Sequence, residues 1–130
     1  MNYAYFDGSS GLSGDMILGA LLDLGVDPAL FKEKMAGLRL PVDISVRRVR
    51  RGGFGALKVD VHVKGHARVE QTFADVERVI RRSRFSPSVK DRALAIFKRL
   101  FEAEAKVHGR RLKEAHLHEA GADDALVDVI

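Results

Sequence analysis

The sequence contains no cysteine. Disulfides and thiolate metal sites within the chain are therefore excluded. Any metal must be held by histidine, aspartate, glutamate, backbone oxygen or a sulfur brought by another molecule. No apolar run is long enough to span a bilayer. The opening residues, Met1-Asn2-Tyr3-Ala4-Tyr5-Phe6-Asp7, lack the basic flank and long apolar core of a signal peptide. We therefore expect a cytoplasmic location and no membrane partner. Internal repeats and low-complexity tracts are also missing. The arginine clusters have no interleaved aromatic residues of the kind that single-strand nucleic-acid binders use.

What is present fits one domain with a real core. The 130 residues are 46% apolar and 31% charged, an ordinary soluble globular composition. Net charge is +4, concentrated in Arg47-Arg48, Arg50-Arg51, Arg81-Arg82 with Arg84, and Arg110-Arg111. Such clusters suit a phosphate-bearing partner, although each taken singly reads more readily as solvated surface.

Residues 3–7 read as a short strand. After a small-residue turn, residues 15–24 are apolar nearly all round, which predicts a buried helix stopped by Gly25. Asp27-Pro28 is a cap followed by proline, opening a helix to about Leu38. From Val42 the period becomes two: Val42, Ile44 and Val46, then Leu57, Val59, Val61 and Val63 beyond Gly52-Gly53. This predicts an antiparallel hairpin with a longer loop carrying the arginines. His62 falls on its wetter face. Phe73, Val76, Val79 and Ile80 mark an amphipathic helix ending near Ser83. Ser86-Pro87 opens the longest helix, about 30 Å at 1.5 Å per residue, down to His108-Gly109. The expected fold class is α+β: a small mixed sheet, made of the N-terminal strand and the hairpin, covered by helices. Because Leu126-Val127-Asp128-Val129-Ile130 ends in mid-pattern, we expect residues 1–130 to be a single domain forming an N-terminal piece of a longer protein.

Two stretches carry chemistry. In Gly8-Ser9-Ser10-Gly11-Leu12-Ser13-Gly14 the glycines open a helix, where backbone N–H groups can meet phosphate. It is neither a P-loop nor the dinucleotide fingerprint. Asp15 at the helix start repels a bare anion but suits a metal–phosphate complex; a tight turn capped by Ser13 or Asp15 is the plain alternative. The second stretch is His116-Leu117-His118-Glu119-Ala120-Gly121-Ala122-Asp123-Asp124, with Asp128 beyond. On an extended segment His116 and His118 point to one side and can grip a borderline ion such as nickel, zinc or copper. Asp124 and Asp128, at i and i+4 of a following helix, can complete the shell. Chance spacing, with acids that only complement a helix dipole, explains the same residues.

With a third segment, Ala103-Glu104-Ala105-Lys106-Val107-His108-Gly109, these stretches resemble the N-terminal region of the LarC family, the nickel-insertion proteins of nickel-pincer cofactor biosynthesis. Asp7-Gly8-Ser9-Ser10-Gly11-Leu12-Ser13-Gly14-Asp15-Met16 is similar to its opening motif, and the His116–His118 stretch to its His-Phe-His-Glu-Val-Gly-Ala-x-Asp. Leu117, Ala120 and Asp123 depart from that pattern. The resemblance implies a nickel insertase, a lyase-type enzyme that loads Ni(II) into pyridinium-3,5-bisthiocarboxylic acid mononucleotide. It also implies a two-domain protein dependent on CTP with Mg(II) or Mn(II), bound by the second, C-terminal domain, so that this stretch alone is expected to be inactive. The finished cofactor would serve lactate racemase or a similar apo-enzyme. The implied site has His116, His118, Glu119, Asp124, Asp128 and His108 on the metal. Asp7, Ser10, Gly11, Ser13, Gly14 and Asp15 face phosphate or cofactor, and catalytic residues stay unassigned. Other readings are a nickel carrier without chemistry and a basic nucleic-acid module; we do not expect the latter, and self-association is left open.

Overall fold

The computed structural model of the protein describes residues 3–64, 71–117 and 122–130. Helix α1 spans Gly14–Asp23 and α2 spans Pro28–Ala36. Strands β1 (Val42–Arg51) and β2 (Phe54–Val63) follow, then β3 (Gln71–Thr72), α3 (Phe73–Arg82) and α4 (Pro87–Val107). A 3-10 turn (Leu112–Glu114), β4 (His116–Leu117) and α5 (Ala122–Val129) complete the chain. The expected α+β class holds. The expected helices also form near their predicted bounds, because the cap signals act as read. Asp27 accepts the Ala29 N–H at 2.8 Å, and Ser86 accepts the Val89 N–H at 3.4 Å.

Three expectations need correcting. Residues 3–7 form no strand: they carry no regular structure and lie exposed, with Tyr5 90% accessible. The hairpin strands pair only with each other among the described residues, so an edge partner for this segment does not exist there. The hairpin loop is short. Gly52 and Gly53, both at positive φ, join Arg51 to its register partner Phe54, and the arginines stand in β1 itself. Helix α1 is not buried all round; Met16 and Ala20 are exposed, while Gly19 and Leu22 are buried. Its contact with the hairpin is close. A Cβ at Gly19 would run into the Leu57 carbonyl oxygen, so only glycine lets the helix lie directly on β2.

Two apolar clusters meet at the end of the chain. Val76 and Ile80 of α3, Phe97 and Phe101 of α4, and Leu126 of α5 form the larger one, with Phe73 edge-on to Phe101 at 5.6 Å. Met35, Leu38 and Val127 form the smaller, which the hairpin residues Ile44 and Val61 cover. Leu126 and Val127 are both fully buried, one in each cluster. Helix α5 is thus the wedge between them, and the opposite face of that helix is left for Asp124 and Asp128.

Truncating the wedge should be costly. Leu126→Ala is expected to lower stability by about 2–5 kcal/mol, as deletion of fully buried leucine side chains does. Urea denaturation checks this, and a loss under about 1 kcal/mol would show that α5 does not hold the clusters together.

Candidate functional site

The helical period places Asp124 and Asp128 one turn apart on α5, and packing of α5 against α1 carries them to the start of α1. That start is built for a close approach. A Cβ on Gly14 would fall inside the Asp128 carboxylate, so only glycine leaves room for this side chain. Ser13 precedes α1 in an extended conformation and donates its hydroxyl to Asp15, which also accepts the Met16 N–H at 2.9 Å.

Three carboxylates therefore share one neighbourhood. Burial, then the charge of Asp15, raises the pKa of Asp124 above its ordinary value. Burial first, then the charges of Asp124 and Asp15, push Asp128 from 3.8 up to about 6. Its Oδ1 is buried and has no hydrogen-bond partner among the described residues. Mutually repelling acids with an unsatisfied buried oxygen are what a divalent cation relieves. Among the described residues, however, no three His, Asp or Glu side chains stand close enough to hold one ion by themselves.

His116 is positioned through a cap. Thr72 takes part in a reciprocal capping box with Asp75 at the start of α3, and the same residue pairs with His116 across β3 and β4. The backbone at 115–117 is extended, the conformation that the two-histidine reading requires. His118 and Glu119 lie outside the described residues. His108 ends α4 with its Nε2 3.1 Å from Glu104. In the glycine turn, Asp7 accepts the Ser9 N–H at 3.0 Å, which lowers its pKa, and Gly11 closes the bend at φ 91°. Ser10 is exposed there.

The family profile of the nickel insertion proteins matches residues 4–130. The chain belongs to the nickel insertion protein family. It is 42% identical over 132 residues to a pyridinium-3,5-bisthiocarboxylic acid mononucleotide nickel insertion protein of Desulfitobacterium hafniense, covering 100% of this chain and 32% of that protein. A protein of the same name from Acetivibrio thermocellus is 41% identical over 139 residues, covering 100% of this chain and 34% of its own length. The chain thus spans about a third of the length of these curated relatives. No solved structure matches it. No helix among the described residues is long and apolar enough to cross a membrane.

For this nickel insertion family member, the sequence placed Asp15 with phosphate and Asp124 and Asp128 with metal; the structure joins all three. The reason is Gly14, whose missing side chain is a cradle for Asp128 as much as a turn residue. Sequence reasoning also missed Gln71, whose side-chain amide donates to Asp123 at 2.8 Å and ties β3 to the first turn of α5. Only its position before a capping threonine hinted at it.

The raised carboxylate has a stability signature. Folded Asp128 keeps its proton up to about pH 6, whereas the unfolded chain releases it near 3.8. Its contribution to stability therefore falls as pH rises through that window, and the full cost is present above it. Asp128→Asn is expected to stabilise the metal-free chain at pH 7, on the order of 1–2 kcal/mol after allowance for partial exposure. It should also flatten the pH dependence between 4 and 6, on the order of the two pKa limits. Thermal melts across that range check this; a destabilised variant would contradict it.

Proposed function

We propose that this chain is the metal-handling part of a nickel insertion enzyme acting on pyridinium-3,5-bisthiocarboxylic acid mononucleotide. The observation that carries the reading is the convergence of Asp15, Asp124 and Asp128 around the buried, unpartnered Oδ1 of Asp128. The names of the relatives supply the metal and the substrate. Hard carboxylates alone would favour magnesium or manganese, and nitrogen ligands move the preference toward nickel. His116 provides one such nitrogen from its strand, and His118 and Glu119 are assigned beside it, with His108 as a more distant helper.

The chemistry follows from the residue types. With no cysteine in the chain, the sulfur that nickel takes up comes from the thiocarboxylates of the substrate. The protein's oxygens and imidazole hold nickel loosely enough to hand it on, and the softer sulfur ligands draw it away. The turn at 8–15 belongs to the same centre. Two carboxylates face its helix end, so a phosphate group meets it only with a cation between them. We assign CTP with Mg(II) or Mn(II) to the part of the whole protein beyond these residues, and cofactor delivery to lactate racemase or a similar apo-enzyme likewise. The soluble surroundings of such substrates agree with a cytoplasmic location.

Nickel titration by calorimetry tests the reading. Wild type is expected to bind Ni(II) more weakly as pH falls through about 6, because protons compete with the metal for Asp128. Asp128→Asn and His116→Ala should each weaken binding about tenfold, a loss of about 1.4 kcal/mol. Equal affinity in all three proteins would remove these residues from the site.

A further inference from the structure

Helix α4 has two ordered faces, and only one of them meets the core. Its buried side is the line of Ala93, Phe97, Phe101 and Ala105, each one turn from the next. Beside that line, Ile96, Leu100, Ala103 and Val107 recur at intervals of four, three and four residues. This is the spacing by which one helix offers a seam to another. The seam lies in solvent: Ile96 is 51% accessible, Leu100 38% and Val107 78%, and Ala103 is exposed as well. A lone exposed apolar residue needs no explanation, whereas a row of them in heptad register does.

The charges along the seam are of one sign. Arg92, Arg99 and Lys106 stand seven residues apart, so the helical period sets them in a row on one edge of it. All three are exposed, and none has an ion-pair partner among the described residues. Other arginines of the chain are unpaired too; these differ in keeping register with an apolar row. An ordinary solvated face carries both signs in turn-spaced pairs, as the adjoining face of α4 does with Lys98 and Glu102, 3.9 Å apart. The seam's other edge runs into the core, and its acid, Glu104, is held by His108 at 3.1 Å.

Charge decides what can cover this face. Two antiparallel copies about a two-fold axis would set Arg92, Arg99 and Lys106 against their own images. A parallel pair would set them against the edge where Glu104 is already held. A lipid surface takes up a broad apolar face with cations on both sides, and here the second side is committed to the core. A helix with apolar residues in matching register and carboxylates along its edge satisfies both the seam and the cationic row.

We infer that the outer seam of α4 is a docking face for an acidic amphipathic helix of a separate protein. The partner's apolar residues pack among Ile96, Leu100, Ala103 and Val107, and its carboxylates run along Arg92, Arg99 and Lys106. The mixture of apolar and charged groups fits a partner that binds and leaves, since a face covered permanently from within is more apolar. The cations speed the encounter and set the orientation, while the apolar row holds the partner once docked. None of these residues belongs to the carboxylate centre.

The probe is a synthetic amphipathic helix of α4's own length, 21 residues, with leucine in the seam register and glutamate on both edges. A second peptide carries lysine in place of glutamate. Like charges along its edges keep each peptide from pairing with itself. Titrated into this chain by fluorescence anisotropy, the glutamate peptide is expected to saturate and to bind at least about tenfold tighter than the lysine peptide. Its affinity should fall as salt is added. Leu100→Glu should weaken it about tenfold or more. The triple variant Arg92→Glu, Arg99→Glu and Lys106→Glu should reverse the preference and take the lysine peptide, an outcome that misfolding cannot produce. No saturation by millimolar glutamate peptide, equal binding of the two peptides, or a preference that the triple variant leaves unreversed would overturn the inference. Sedimentation equilibrium and phosphatidylserine vesicles test the other occupants. A dimer that Leu100→Glu disperses would overturn the inference in favour of a second copy. Vesicle binding with the peptide rejected would overturn it in favour of a membrane surface. Repeated on the whole protein, the titration should give the same affinity, and exclusion of the peptide there would overturn it in favour of a face covered from within.

Discussion

The close approach of Asp128 to Gly14 is the contact on which the site depends. It exists because α5 is pinned by Leu126 and Val127 into two apolar clusters, which fixes the helix in both translation and rotation. With that face committed, the helical period leaves Asp124 and Asp128 no other direction than the start of α1. There the absent side chain of Gly14 admits a carboxylate that any other residue would expel. Apolar burial thus supplies the free energy that holds like charges together. A carboxylate cluster that opposes stability is supported by a core that provides it.

The same division of labour appears elsewhere in the chain. Gly19 lets α1 lie on the β2 backbone, so the helix that carries Asp15 is set by packing rather than by its own loop. Thr72 caps α3 and also aligns His116 through the two-residue sheet. Gln71 bridges from that sheet to Asp123. Acidic groups gather where α1 and α5 meet, and Arg39, Arg82 and Arg84 line a cleft beside α2 and α3.

Local signals were legible in the sequence, and contacts across the fold were not. Asp27-Pro28 and Ser86-Pro87 announce their helices because capping is a property of a few adjacent residues. The alternation of Val42, Ile44 and Val46 announces a strand for the same reason. The turn at Gly52-Gly53 was read too long, since the arginines before it looked like loop and are in fact strand. Tyr3, Tyr5 and Phe6 have strand-like composition yet form no strand, because a strand needs an edge and composition does not show one. Strands β3 and β4, two residues each, are too short to have a period at all. At the site, the i, i+4 spacing of Asp124 and Asp128 was readable, as was the turn at 8–15. Their union was not, because it depends on what a missing Cβ on Gly14 leaves open some hundred residues away in sequence.

The most direct measurement is the titration of the individual aspartate carboxyl carbons by NMR in the metal-free chain. The account requires Asp128 to titrate near its raised value of about 6, with Asp124 also above the ordinary 3.8. Asp15→Asn should then lower both, since its charge contributes to each shift. Titration of Asp128 among the ordinary carboxylates, with no response to Asp15→Asn, would mean that the three acids do not share a site.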